Sequence, residues 1–151
     1  MITVISIGRK HDTWLENAIQ RYQKRLRAPF TIKWELIAPS PQKESVAQND
    51  ESTRILRTIK KEDIVILLDE QGINYDSFAL SRELETHLDQ SKKVVVIIGG
   101  AYGVNNELKA RANTIWSLSR LVFPHQIIRL LVIEQIYRSY TIARSLPYHN
   151  G

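Results

Sequence analysis

The sequence predicts an α/β domain with a mostly parallel sheet and helices on both faces. Two observations carry that expectation. Apolar runs of strand length alternate with stretches of helical periodicity along the chain. Two of the runs, Asp63 to Asp69 and Lys93 to Ile98, have unbroken apolar interiors, as strands covered on both faces do. The 151 residues are room for a single domain, 1–151, and no internal repeat divides them.

The elements follow in order. Ile2 to Gly8 is rich in β-branched residues and stops at glycine, which predicts a strand. Thr13 and Glu16 have capping-box spacing, and Leu15, Ala18, Ile19, Tyr22 and Leu26 recur at helical spacing to about Arg27. The other face of that helix carries Arg21, Lys24, Arg25 and Arg27. Thr31 to Ile37 alternates, with Ile32, Trp34 and Leu36 inward, as a half-buried strand does. Ala38 to Asp50 holds Pro39 and Pro41 and little to bury, and reads as a mobile surface loop. A helix is expected after it to about Lys61, with Ile55, Leu56 and Ile59 inward. Gln71-Gly72 breaks the 63–69 strand. Ser77 to about Gln90 is helical, with Phe78, Leu84 and Leu88 on one side. Gly99-Gly100 stops the 93–98 strand, and Asn105 or Asn106 caps a short helix through Arg111. Thr114 to about Leu118 is a last short strand. Pro124 suits the first position of a final helix to about Ser145, which Pro147 closes.

Composition narrows the chemistry. Lys plus Arg is 21 against 16 Asp plus Glu, a net charge of +5 that suits a polyanionic partner. The absence of cysteine excludes disulfides, zinc–thiolate sites, iron–sulfur clusters and a thiol nucleophile. No two of His11, His87, His125 and His149 have the spacing of a helical metal site, so no metal is expected. The N-terminus lacks the basic start of a signal peptide. The run from Ile127 to Ile133 is interrupted by Arg129 and falls far short of the roughly 20 residues that cross a bilayer. A cytoplasmic protein with no membrane partner is expected.

Open α/β sheets bind ligands beyond the carboxyl ends of their strands. Three such ends draw attention: Leu68 to Gly72, Gly99 to Gly103, and Ser117 to Pro124. Three glycines in five residues either make a tight turn or bring bare backbone against a ligand. They match neither a dinucleotide fingerprint nor a P-loop, which disfavours nucleoside triphosphate hydrolysis. Toward the C-terminus, Arg120, Arg129, Arg138 and Arg144 are interleaved with Tyr137, Tyr140 and Tyr148. That mixture suits RNA, and equally a helix ion pair between Glu134 and Arg138 with tyrosines in the core or a subunit interface.

Val96 to Gly103, Trp116 to Ser119, Phe123 to Gln126, Arg129 to Arg138 and Pro147-Tyr148-His149 stand in the order and spacing of one family. With Ile5 to Lys10 and the chain length, they make the sequence resemble the RlmH-type SPOUT RNA methyltransferases over essentially its whole extent. The resemblance implies a C-terminal trefoil knot, a homodimer, and S-adenosylmethionine as cofactor. It implies methylation at N3 of a pseudouridine in 23S ribosomal RNA, pseudouridine 1915 in the loop of helix 69, within the assembled ribosome. Carried onto this chain, the cofactor contacts are Leu68, Gly99 and the run Leu118, Ser119, Arg120, Leu121, Val122 and Phe123, with Gly100 shaping the turn. Arg138, Tyr148 and His149 match positions near the target base, with His149 the candidate base, Arg138 a stabiliser of negative charge and Tyr148 a stacking residue. Leu146 stands where the family often has histidine. Two other readings remain: a non-catalytic RNA- or ribosome-binding module on the same fold, and a small-molecule enzyme using another nucleotide.

Overall fold

The computed structural model describes residues 1–150. Strands β1 (Ile2–Ile7), β2 (Ile32–Ile37), β3 (Ile64–Ile73), β4 (Val94–Ile98) and β5 (Thr114–Trp116) form one sheet. Its order is β2-β1-β4-β3-β5, and every pairing is parallel. The helices are α1 (Thr13–Gln23), α2 (Glu44–Thr58), α3 (Ser77–Asp89), α4 (Asn106–Arg111) and α5 (His125–Ala143). The expected fold class is the one observed.

Strand alternation sorts the core into two layers. Ile2 and Val4 of β1 with Val94, Val96 and Ile98 of β4 pack against Leu15 and Ile19 of α1, Leu84 of α3 and Ile133 and Ile136 of α5. Ile5, Ile7, Val95 and Ile97 face the other way, toward Ile55 of α2 and Leu108 of α4. Helices on both faces account for the unbroken apolar runs of β3 and β4.

Several boundaries differ from the sequence expectation. Residues 44–50 are the first turns of α2 rather than loop. Their inward stripe, Ala47, Glu51, Ser52 and Ile55, is half polar, which concealed the helical period. Asp12, not Thr13, is the N-cap of α1, and its carbonyl accepts from the N–H groups of Leu15 and Glu16. That helix ends at Gln23, four residues early, because the Arg27 guanidinium donates to the carbonyls of Lys24 and Leu26. Strand β3 runs through Gln71-Gly72 to Ile73, and an irregularity lets both Leu68 and Ile73 pair with Trp116. Strand β5 stops at Trp116, and α2 at Thr58. Phe78 stays exposed while Leu80 and Ser81 take its expected place inside. Pro124 is the N-cap of α5 rather than its first residue, and Asn105, of the two candidates, caps α4 by accepting from the Leu108 N–H at 2.9 Å.

One side chain fixes where α5 begins. Arg129 is 0% exposed and has no carboxylate partner among the described residues. Its Nε donates to Ser6 Oγ at 3.0 Å, Nη1 to the Lys10 carbonyl at 2.8 Å and Nη2 to the Ile7 carbonyl at 3.2 Å. Nη1 also meets His11 Nδ1 at 3.2 Å, so that nitrogen accepts and the imidazole is neutral. Gly8 makes room: its φ is +136°, and a Cβ there would strike the guanidinium. Arg129→Met keeps much of the volume but leaves these buried acceptors unpaired. It is expected to cost about 3 kcal/mol in urea unfolding. An unchanged midpoint would contradict the anchoring role.

Candidate active site

The chain leaves β5 at one sheet edge and returns to the carboxyl end of β1, next to the far edge, where Arg129 holds α5. The connection, residues 117–124, therefore passes over the ends of β3 and β4. It is held on the way: the Ser117 N–H donates to the Ile73 carbonyl, Asn74 Nδ2 to the Ser117 carbonyl, and the Leu121 N–H to Ser119 Oγ.

The turn after β4 is pinned from the opposite layer. The Gly103 N–H donates to the Gly100 carbonyl at 3.0 Å, with Gly103 at a φ of +73°. From α2, Gln48 Nε2 donates to the Tyr102 carbonyl at 2.9 Å, and Ser52 Oγ accepts from the Asn105 N–H at 2.9 Å. Glu51 is only 4% exposed; its Oε2 accepts from the Ser40 N–H and its Oε1 lies behind Gly100. The polar side of α2 thus exists to hold a glycine loop.

These two segments enclose a cleft. Leu68, Gly99, Gly100, Leu118, Ser119, Leu121, Val122 and Phe123 all line it. Arg120 does not; it lines a neighbouring hollow with Glu70, Gln71 and Asn74. Trp116, Val104, His125 and Ile128 line the cleft without having been assigned to it from sequence. A Cβ on Gly99 would come to 3.0 Å from Val104, and one on Gly100 would run into the Glu51 carboxylate. The floor is bare main chain at the glycines and the walls are mostly apolar, with Asp69, Glu70, Ser119 and His125 as the polar lining, a combination that suits a flat heterocycle recognised by backbone groups. Among the described residues there is no cluster of side chains able to hold a metal.

Arg138, Tyr148 and His149 come together on the other side of the 117–124 connection. Arg138 Nε donates to Glu134 Oε1 at 3.0 Å, Nη1 meets His149 Nδ1 at 2.9 Å, and the guanidinium lies 4.8 Å from the Tyr148 ring centroid. The hydrogen bond with Glu134 holds the Arg138 pKa above its ordinary value. An arginine only donates, so His149 Nδ1 accepts and the neutral ring presents Nε2–H. Phe78 meets that ring edge-on at 4.9 Å. Tyr148 O–H donates to Tyr22 Oη at 3.4 Å, and burial followed by that contact raises the Tyr148 pKa. His149 lines a second pocket with Phe78 and Gln135, and Trp116, Leu118 and Phe123 belong to both pockets. Glu134, Phe78 and Tyr22 were not assigned to this cluster from sequence; the Glu134–Arg138 spacing was the available signal.

Burial lowers the His125 pKa, Arg129 lowers it further, and Glu51 opposes them. Burial likewise lowers His11, with Arg129 adding to it. Both folded values lie below the unfolded value of about 6.5, so the unfolded chain takes up protons first as pH falls. Their contribution is present above about pH 6.5 and is lost as pH falls through the folded values. Unfolding free energy is expected to drop between about pH 7 and 5, and less steeply in His125→Gln. A flat wild-type profile over that range would contradict this.

A parallel sheet whose carboxyl ends carry a glycine-floored cleft, crossed by a return of the chain, places this protein among the α/β folds, in which ligands sit beyond the carboxyl ends of the strands. A family model described as "Predicted SPOUT methyltransferase" matches residues 1–149. The chain is 38% identical over 156 residues to ribosomal RNA large subunit methyltransferase H of Desulfitobacterium hafniense, covering 98% of each. It is 37% identical over 158 residues to the protein of that name from Streptococcus pneumoniae, again with 98% of each covered. A methylase family protein of Haemophilus influenzae superposes with a TM-score of 0.57 at 10% identity, covering 99% of this chain and 70% of that one. A second, from Neisseria gonorrhoeae, gives 0.55 at 14%, covering 99% and 86%. The two superpositions speak for the fold. The chain belongs to the SPOUT methyltransferase family, in its RlmH-type group.

Proposed function

We propose that this protein methylates large-subunit ribosomal RNA, transferring a methyl group from S-adenosylmethionine to N3 of a pseudouridine in the helix 69 loop of 23S RNA. The observation that carries the reading is the shared wall: the glycine-floored cleft and the pocket lined by His149, whose Nδ1 Arg138 meets, both use Leu118 and Phe123. A donor on one side and a base on the other would meet across it. The relatives' names, which specify large-subunit ribosomal RNA methylation, support the substrate class.

The cleft suits the donor. Main-chain groups at Gly99 and 118–123 would hold it, between the apolar walls. Bound there, it supplies a methyl carbon on a sulfonium, a leaving group that needs no protonation. The protein's task is then to align N3 with that carbon and exclude water. The N3 proton must leave to free the nitrogen for attack; the negative charge this creates is shared with the ring carbonyls and is consumed as the N3–carbon bond forms and the carbon–sulfur bond breaks. Arg138 occupies His149 Nδ1, so His149 Nε2–H donates to a carbonyl oxygen rather than taking the proton, which passes to solvent. Arg138 Nη2 makes no hydrogen bond among the described residues and serves the same charge or a phosphate. Tyr148, kept neutral by its raised pKa, offers its ring for stacking.

Leu121 and Val122 are 70% and 79% exposed beside the cleft, and Ile127, Leu130 and Leu131 of α5 are only half-buried. An apolar strip at the mouth of a site suits a homodimer interface. The return of residues 117–124 past the glycine loop suits the family's trefoil knot. No helix among the described residues is long and apolar enough to cross a membrane, and a ribosomal substrate suits the cytoplasm.

Mass spectrometry of 23S RNA from cells with and without the gene is expected to show one methylated pseudouridine that depends on it. Calorimetry is expected to show S-adenosylmethionine binding. Arg138→Ala is expected to bind donor normally and to lose about 100-fold in kcat. Absence of both donor binding and product would favour the non-catalytic module.

A further inference from the structure

The outward stripe of α1 is not absorbed by the donor cleft or by the Arg138 cluster. Asn17, Gln20, Arg21, Lys24 and Arg25 line a shallow groove along it. Spacing of three and four residues places Asn17, Gln20 and Arg21 on one side of α1, and Lys24 and Arg25 follow at its end. Arg21, Lys24 and Arg25 are exposed and make no ion pair among the described residues. Arg27 is different, because its guanidinium caps the end of the helix. Arg21 stands in the last turn of α1, Lys24 at its C-cap and Arg25 just beyond, so three unpaired cations gather at one end of the groove, where an anion would meet all of them.

The stripe also leads somewhere. Tyr22, on the same turns, meets the hydroxyl of Tyr148 at 3.4 Å and the ring of Tyr137 at 5.5 Å. The groove therefore lies on the same helix that packs against the Tyr148 end of the molecule.

We propose that Arg21, Lys24 and Arg25, at the C-terminal end of α1, form a phosphate-binding surface that guides the ribosomal RNA strand to Tyr148. This rests on the proposed RNA methylation and adds a surface to it. Binding is carried by the phosphates, so it is indifferent to sequence and strongly dependent on salt. Asn17 and Gln20 add neutral donors in the same groove.

The test compares wild type with Lys24→Glu/Arg25→Glu on purified ribosomes. Both replaced side chains are exposed, so circular dichroism and melting are expected to show an intact fold. Its ribosome affinity is expected to fall by at least about tenfold at moderate salt. The slope of log affinity against log salt should flatten by about 0.7 to 0.9 for each phosphate that the variant no longer neutralises. At saturating ribosomes kcat should be unchanged. Lysine-directed cross-linking of wild type followed by mass spectrometry is expected to recover Lys24 on ribonucleotides. Unchanged affinity and slope would overturn the surface, and so would Lys24 cross-links found only on ribosomal protein. Wild-type product is measured in parallel. If it forms while the variant behaves identically, only this inference fails; if it does not form, the proposed function fails.

Discussion

The guanidinium of Arg129 is the constraint on which the rest of the structure depends. A buried cation without a carboxylate is costly unless every donor finds an acceptor, and here the acceptors are main-chain carbonyls and a serine at the end of β1. Those acceptors occupy one place only, so the helix that carries Arg129 must begin there. Burial lowers the Arg129 pKa, yet arginine stays charged and the requirement persists at all working pH values. Gln126 adds to the clamp by accepting from the Asp12 N–H at 2.9 Å. Anchoring α5 at β1 carries residues 117–124 across the sheet, and that crossing closes the glycine-floored cleft.

The two layers then divide the work. The layer of α2 and α4 holds the glycine turn through Gln48, Ser52 and the buried Glu51. The layer of α1, α3 and α5 brings Tyr22, Phe78, Arg138 and the C-terminal Tyr148 and His149 together. The connection from β5 to α5 touches both, with Leu118 and Phe123 as the common partition. A site of this kind asks for alignment and exclusion of water more than for covalent help from side chains, and main chain held from two sides provides it.

Much of this was legible in the sequence, for identifiable reasons. The parallel sheet was readable because Ile64 to Leu68 and Val94 to Ile98 are apolar on both faces. The positions of the cleft residues followed from the ends of those strands and from the family resemblance. The start of α2 was not legible, because its inward face spends Glu51 and Ser52 on hydrogen bonds to loops distant in sequence. Phe78 was misplaced because an apolar residue at helical spacing reads as core, whereas here it faces His149. Arg129 was visible as an interruption of an apolar run and as one of the C-terminal arginines that suit RNA, but it is buried, and its partners lie more than a hundred residues away. The displacement of Arg120 from the cleft is a matter of one residue's direction within an irregular segment, which no periodicity encodes.

The most direct measurement is a crystal structure of the protein soaked with S-adenosylmethionine. Density for the donor between Gly99 and residues 118–123, contacting main-chain groups and facing His149 across Leu118 and Phe123, is the predicted result. Density elsewhere, or an empty cleft at saturating donor, would contradict the account.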